Sequence, residues 1–115
     1  MPNIVVLNAI SLGMLPDAVG DYILFVSGKT NAQVASYLRE APEGFESAVG
    51  HADTAALFSQ MLGVEVPVNH VSLEFSGNKT YVVGQYHGPR LPEGQTYLPE
   101  GASISWYTVH VARGI

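Results

Sequence analysis

The stretch IVVLNAI, at residues 4–10, is a short apolar run rich in β-branched side chains. Runs of this kind, without polar alternation, are typical of strands that are covered on both faces of a sheet. We therefore predict that this strand lies in the interior of a sheet, and that residues 11–20 form the loop that follows it.

Four further apolar runs predict the rest of the sheet. They lie at residues 22–26, 68–75, 80–86 and 104–111. The sequence SGNK, at 76–79, has the composition of a tight turn, which predicts an antiparallel hairpin between the third and fourth strands. A loop with two copies of LPEG, at 91–94 and 98–101, leads to the last strand.

Two segments carry the signals of helix ends. Thr30 or Asn31 can cap a helix that runs to about Arg39 and stops before Pro42. A second helix, at 53–62, ends at Gly63. Residues 45–49 fit either a helical turn or an extended piece. Together these elements predict an α/β or α+β fold, a mixed five-stranded sheet with flanking helices, in one domain spanning residues 1–115.

Composition limits the function. Charged residues make up 13% of the chain, against about 25% in typical domains, so we expect a partner to cover part of the surface. A net charge of −5 with five Lys and Arg residues weighs against binding to long nucleic acid. The absence of cysteine excludes disulfides, thiolate metal sites and a cysteine nucleophile. The first residues lack a signal sequence and no apolar run reaches about 18 residues, so we expect a cytoplasmic protein without a membrane span.

Two other sequence features do not support a specific function. GKT, at 28–30, resembles the end of a phosphate-binding P-loop, but that motif needs a glycine at position 23, where Ile23 stands. His70, His87 and His110 have no local metal-ligand spacing. We therefore expect neither a nucleoside triphosphatase nor a metal site.

The sequence GHADT, at 50–54, is more informative because it lies at the start of the second predicted helix. A helix N-terminus presents unpaired N–H groups and a partial positive charge, so a phosphate bound there would meet the imidazole of His51. The alternative is that Asp53 or Thr54 caps the helix and His51 is a surface residue. RLPEG, at 90–94, carries a cation and a carboxylate that would suit phosphate chemistry if this loop faces His51, and is otherwise a solvated turn.

Three segments in this order, LNAISLGML at 7–15, GHADTA at 50–55 and RLPEG at 90–94, resemble the viral ring nucleases, the type III anti-CRISPR proteins. The resemblance spans nearly the whole chain. It implies a homodimer that binds cyclic tetraadenylate, the second messenger of type III CRISPR immunity, in a pocket between subunits. It also implies cleavage of that ring to linear diadenylate without a metal or other cofactor, which would silence the immune signal in the host cytoplasm.

The resemblance also assigns the candidate site. It gives His51, Arg90 and Glu93 catalytic roles. The substrate-binding positions would be Asn8, Ser11, Leu12, Gly13, Gly50, Asp53, Thr54 and His70. Two of these depart from the family pattern: Gly13 stands where an archaeal viral member has asparagine, and His70 stands where arginine is usual, which removes a permanent cation.

Three other functions remain open at the level of sequence. The chain could sequester a cyclic nucleotide without cutting it. A viral or prophage regulator that binds DNA through a dimer is a second possibility, which the low number of cations disfavours. The third is an interaction protein that contacts a host factor through an exposed apolar surface around Trp106 and Tyr107.

Overall fold

The computed structural model describes residues 2–16 and 19–114. Within these ranges it contains five strands, two α-helices and one 3₁₀ turn at Leu12–Met14. In chain order the strands and α-helices are β1 (Ile4–Leu7), β2 (Tyr22–Lys29), α1 (Asn31–Glu40), β3 (Glu46–Ser47), α2 (Ala52–Leu62), β4 (Thr80–His87) and β5 (Ser103–Arg113). The predicted loop at 11–20 includes positions 17 and 18, which lie outside the described residues.

The five strands form one mixed sheet in the order β2-β5-β4-β1-β3. β1 is parallel to both of its neighbours, β3 and β4, whereas β5 is antiparallel to β2 and β4. All four residues of β1 are buried, which confirms the prediction of an interior strand. The strand is shorter than predicted, since it ends at Leu7 and Ile10 is exposed.

The predicted hairpin is wrong. The turn at 76–79 does form, with the Lys79 N–H donating to the Ser76 carbonyl over 3.3 Å, but residues 68–75 are not a strand. β4 pairs on its two edges with β1 and β5, so no edge of β4 is left for residues 68–75. Val68 makes one isolated bridge, to Val49, and the fifth strand is instead β3, from the segment whose structure the sequence left open.

Both helices pack on one face of the sheet. Val34 and Leu38 of α1 and Phe58 of α2 share a buried cluster with Val82 and Trp106. The opposite face is covered by chain outside the regular elements, where Met14, Leu15, Leu73 and Phe75 pack on β1, β4 and β5. The alternating apolar residues of 71–75 therefore cover a sheet and do not extend one.

Local signals fixed the helix ends. Thr30 caps α1 in a reciprocal capping box with Gln33, as its side chain accepts from the Gln33 N–H over 3.1 Å. Gly63 ends α2 in the left-handed conformation, with a φ of 66°. Trp106 is 2% exposed and donates its indole N–H to Asn31 over 3.1 Å, so it cannot form the exposed patch considered above. Neither described helix is long and apolar enough to cross a membrane.

Candidate functional site

The candidate site lies where the N-terminus of α2 meets the loop after β4. A cleft of about 700 Å³ is lined by His51, Asp53, Thr54, Arg90, Leu91, Pro92 and Glu93. The structure therefore places the RLPEG loop against the GHADT segment. A role for this loop in phosphate chemistry was predicted only if the loop faces His51, and it does. All three predicted catalytic residues line this cleft.

One long-range hydrogen bond joins the two halves of the cleft. The carboxylate of Asp53 accepts from the Gly94 N–H over 2.9 Å. Asp53 thus holds the loop and does not cap its own helix; the N-cap is His51, whose side chain makes no capping bond. The interpretation of Asp53 or Thr54 as the helix cap is therefore wrong.

The loop itself is held at both ends. At its start, the Tyr86 hydroxyl donates to the Pro89 carbonyl. Gly88 has a φ of 145°, a backbone conformation that residues other than glycine rarely adopt. At its end, the Gln95 N–H donates to the Pro92 carbonyl over 3.1 Å. These contacts and the bond from Asp53 fix the backbone that carries Arg90 and Glu93.

The start of α2 offers backbone donors to the cleft. The N–H of Ala55 bonds the His51 carbonyl over 3.0 Å, as in a regular helix. The preceding N–H groups, of residues 52–54, have no carbonyl one turn back and find no other acceptor in the described part of the chain. His51 therefore sits beside free donors at the positive end of a helix dipole.

The cleft carries one permanent cation, Arg90, and two carboxylates, Asp53 and Glu93. Arg90 and Glu93 are both exposed, and neither makes an ion pair or hydrogen bond through its side chain with the described residues. His51 is also exposed and has no side-chain partner among the same residues. An incoming anion would thus meet an unpaired guanidinium, an unpaired imidazole and the helix N–H groups.

A second depression adjoins the cleft. It has a volume of about 490 Å³ and shares Thr54, Arg90 and Leu91 with the cleft. Asn8 lines it from the carboxyl end of β1, and Gln85 and Tyr86 line it from the neighbouring end of β4. Because β1 and β4 are parallel, their carboxyl ends meet at this edge of the sheet, where ligands of open α/β sheets commonly bind.

His70 lies beside the start of the GHADT segment. Its Nδ1 is 3.4 Å from the Gly50 carbonyl oxygen, and a Cβ at position 50 would come within 3.0 Å of the same nitrogen. The preceding Asn69 holds this arrangement, with its N–H donating to the Val49 carbonyl and its side chain donating to the Ser47 carbonyl, both over 2.8 Å. A side chain at position 50 would therefore oblige the exposed imidazole of His70 to shift by a few tenths of an ångström.

The remaining predicted residues lie apart from the cleft within one chain. Ser11 and Gly13 line a separate depression of about 370 Å³, between the 3₁₀ turn and residues 71–73. Leu12 is 80% exposed. A single chain thus assembles His51, Asp53, Thr54, Arg90 and Glu93, with Asn8 next to them, but not the segment at 11–13.

Gln85, Tyr86 and Leu91 were not predicted as site residues. Gln85 and Tyr86 lie at the end of a predicted strand. That position indicates a binding site only once the strand is known to be parallel to β1. Among residues 2–16 and 19–114, no three His, Asp or Glu side chains are grouped as metal ligands would be.

A family model and a solved structure identify the class of protein to which this fold belongs. A sequence profile of the STIV B116-like family matches residues 4–102, so the chain belongs to this family. It is the viral ring nuclease, or anti-CRISPR type, family that the sequence motifs resemble, and that recognition is confirmed. Arg90 and Glu93 fall within the matched range, as does His51.

A solved structure supports the same assignment. The chain is similar to B116 of Sulfolobus turreted icosahedral virus, with a TM-score of 0.76 and 21% sequence identity, covering 94% of this chain and 98% of that one. At this identity the likeness establishes the fold, a mixed five-stranded α+β sheet with two helices. No protein with a curated functional description matches the sequence.

Proposed function

We propose that this protein is a ring nuclease that opens cyclic tetraadenylate to linear diadenylate without a metal, and so counteracts type III CRISPR immunity. The observation that carries the proposal is the docking of the Arg90–Glu93 loop against His51 through the bond between Asp53 and Gly94. Membership of the STIV B116-like family supplies the substrate class through the resemblance.

The proposed reaction draws its nucleophile from the substrate. A ribose 2′-oxygen attacks the adjacent phosphorus as its proton leaves, the bond to the neighbouring 5′-oxygen breaks, and that oxygen takes a proton. The products carry a 2′,3′-cyclic phosphate and a 5′-hydroxyl, so no water is consumed. The protein must align the attacking and leaving oxygens, protonate the latter and stabilise charge on the phosphoryl oxygens.

The side chains of the cleft suit these tasks. His51 is the N-cap residue of α2 and is the proposed proton donor to the leaving 5′-oxygen. Arg90 carries the unpaired cation of the cleft and would contact the phosphoryl oxygens. Glu93 would orient His51 or accept from a ribose hydroxyl, and Asp53 would position the loop. The N–H groups of residues 52–54 would bind a phosphate.

A homodimer completes the proposal. A four-fold ring carries two scissile phosphates on opposite sides, so a two-fold axis would present one copy of His51 to each. Ser11, Leu12 and Gly13 lie outside the cleft of their own chain, and in a dimer they would contact a ring that spans both subunits. The exposed side chain of Leu12 is available for such a contact.

The test is incubation of the purified protein with labelled cyclic tetraadenylate in excess EDTA, with chromatography of the products. Loss of a general acid costs about 10²–10⁴ in rate, so we expect His51→Ala to lose that much turnover and still bind the ring. His87→Ala is the matched control, because His87 is an exposed histidine at the end of β4 that lines neither depression.

Each result separates one function from another. Linear diadenylate from the wild type and from His87→Ala, but not from His51→Ala, supports the proposal. An intact ring that co-elutes with the protein would make it a sequestering protein. Failure to bind the ring at all would refute the proposal.

A further inference from the structure

The edge strand β2 is long, apolar and exposed. It has eight residues, lies at one end of the sheet and, among the described strands, pairs with β5 alone. Ile23, Phe25 and Val26 are 48%, 58% and 56% exposed, and residues 22–28 contain neither a charged side chain nor a proline. Sheets usually protect such an edge with charges, prolines or bulges, because its free backbone groups can pair with another chain. β2 is therefore open to strand pairing.

The hydrogen-bonding pattern shows which backbone groups of β2 are free. The Gly114 N–H donates to the Asp21 carbonyl over 2.7 Å, and these two positions continue the register of β2 on β5. Hydrogen-bonded and non-hydrogen-bonded pairs alternate along an antiparallel ladder, so the odd-numbered residues of β2 bond to β5 and the even-numbered ones face away from it. Leu24, Val26 and Gly28 thus present N–H and C=O groups that have no partner in the described part of the chain.

A second copy of β2 can pair with this edge. Two copies related by a two-fold axis form an antiparallel pair, and side chains directly opposite each other lie on the same face. If the axis passes beside Phe25, Leu24 of each copy lies opposite Val26 of the other, and the two residues exchange their free N–H···O bonds. The two Phe25 residues then form a non-hydrogen-bonded pair, the closest type, with Cα atoms about 4.5 Å apart.

Charge favours this register over its neighbours. With the axis at Phe25, Asp21 of each copy lies opposite Lys29 of the other, so opposite charges meet at both ends of an apolar contact. Both side chains are exposed, and neither forms an ion pair with the described residues. A shift of the axis by one residue keeps the backbone bonds but places Asp21 opposite Ser27 or Asn31, which removes both ion pairs.

We propose that β2 is the contact surface for a second copy of this chain, with Phe25 at the two-fold axis and one continuous sheet across both copies. This contact is separate from the dimer that the proposed function requires. β1, whose carboxyl end leads to the candidate site, is the third strand from β2. At about 4.8 Å per strand, the two copies of β1 would lie about 34 Å apart. The β2 contact therefore does not form a shared ring site, and it would join ring-binding dimers into a larger assembly.

The first experiment is sedimentation equilibrium of the full chain and its variants without nucleotide. Phe25→Lys places two like charges opposite each other at the axis and should halve the mass of the assembly. Val68→Lys is the matched control, because Val68 is 51% exposed and bridges to Val49, beyond the opposite edge of the sheet. Its mass should equal that of the wild type. Thermal unfolding checks that both variants remain folded.

Charge reversal tests the register. Lys29→Glu and Asp21→Lys each place like charges opposite each other at both ends of the contact, and each should raise its Kd at least about tenfold. The double variant with both substitutions restores opposite charges in reversed order, so its Kd should return to near that of the wild type. This rescue is expected only if positions 21 and 29 face each other.

Amide hydrogen exchange tests the strand edge itself. In the assembled wild type the N–H groups of Leu24 and Val26 should be protected, although a single chain offers them no acceptor. Phe25→Lys should abolish this protection and leave that of the Ser27 N–H, which bonds to β5, unchanged; a loosened strand would expose both sets.

Three results would overturn the proposal: an unchanged mass in Phe25→Lys, a double charge variant no tighter than the single ones, or free exchange at Leu24 and Val26 in the wild type. None of these readouts depends on ring cleavage, so failure here leaves the proposed nuclease untouched.

Discussion

Replacement of Asp53 by alanine should release the loop that carries Arg90 and Glu93. The bond from the Gly94 N–H to the Asp53 carboxylate is 2.9 Å long, and hydrogen bonds to charged groups contribute about 1.5–3 kcal/mol. Asp53 is half-buried and Gly94 is exposed, so we take the lower end, about 1.5 kcal/mol. This shifts the equilibrium between docked and released loop about tenfold.

Amide hydrogen exchange measures this equilibrium directly. In Asp53→Ala the Gly94 N–H should exchange about tenfold faster than in the wild type. Asp53→Asn keeps an acceptor oxygen without the charge and should show a smaller increase. The Ala102 N–H is the internal reference, because it donates to the Pro99 carbonyl over 3.1 Å in the second LPEG turn and has no contact with Asp53.

The global stability gives a second readout. Asp53 also lies in the first turn of α2, where a negative charge contributes about 0.3–1 kcal/mol. The free energy of unfolding should therefore fall by about 2 kcal/mol in Asp53→Ala, while Glu100→Ala, which removes an exposed carboxylate, should stay within about 0.5 kcal/mol of the wild type. Unchanged exchange at Gly94 in Asp53→Ala would refute the reasoning.

Three further substitutions test the packing that supports the site, each by chemical denaturation. Gly84→Ala places a Cβ 2.6 Å from Trp106 and 2.7 Å from Phe58, so it should cost about 1–3 kcal/mol by overpacking; equal stability would show that these rings give way freely. Thr30→Ala removes the side-chain acceptor of the Gln33 N–H but keeps the backbone N–H that donates to the Gln33 side chain, and should cost about 1 kcal/mol, with fraying at the start of α1. Gly88→Ala forces a side chain into a φ of 145° and should cost about 1–3 kcal/mol, with changed NMR shifts across residues 89–94; unchanged shifts there would contradict its role in placing the loop.

The helices were predictable because their ends are specified by neighbouring residues. A threonine three residues before a glutamine is enough to form the capping box at Thr30, and Gly63 needs no distant partner to adopt a left-handed conformation. The start of α2 was predicted one residue late. The cap there is the backbone of His51, which carries no side-chain signal for a helix start.

The hairpin prediction failed because strand pairing depends on the whole sheet. Residues 68–75 and 80–86 have the composition of strands and a good turn between them, and the turn forms. β4, however, pairs with β1, more than seventy residues earlier, and with β5. Competition for its two edges is decided by contacts that no local pattern contains. The short β3 is similarly defined by its register on β1, with Val6 opposite Ser47.

The candidate site depends both on local sequence signals and on contacts between distant parts of the chain. The chemical groups, His51 and the pair Arg90 and Glu93, stand out from local sequence because each lies in a short motif with unusual composition. Their approach to each other depends on the hydrogen bond between Gly94 and Asp53, which are 41 residues apart in the sequence, and on the parallel pairing of β1 and β4. Asp53 shows the consequence most clearly, since a carboxylate at a helix N-terminus suggests a cap or a ligand contact, yet its oxygen is committed to the loop. The residue that positions the site is thus the one whose local sequence context was most misleading, and testing it distinguishes a preorganised cleft from two motifs that meet only when substrate binds.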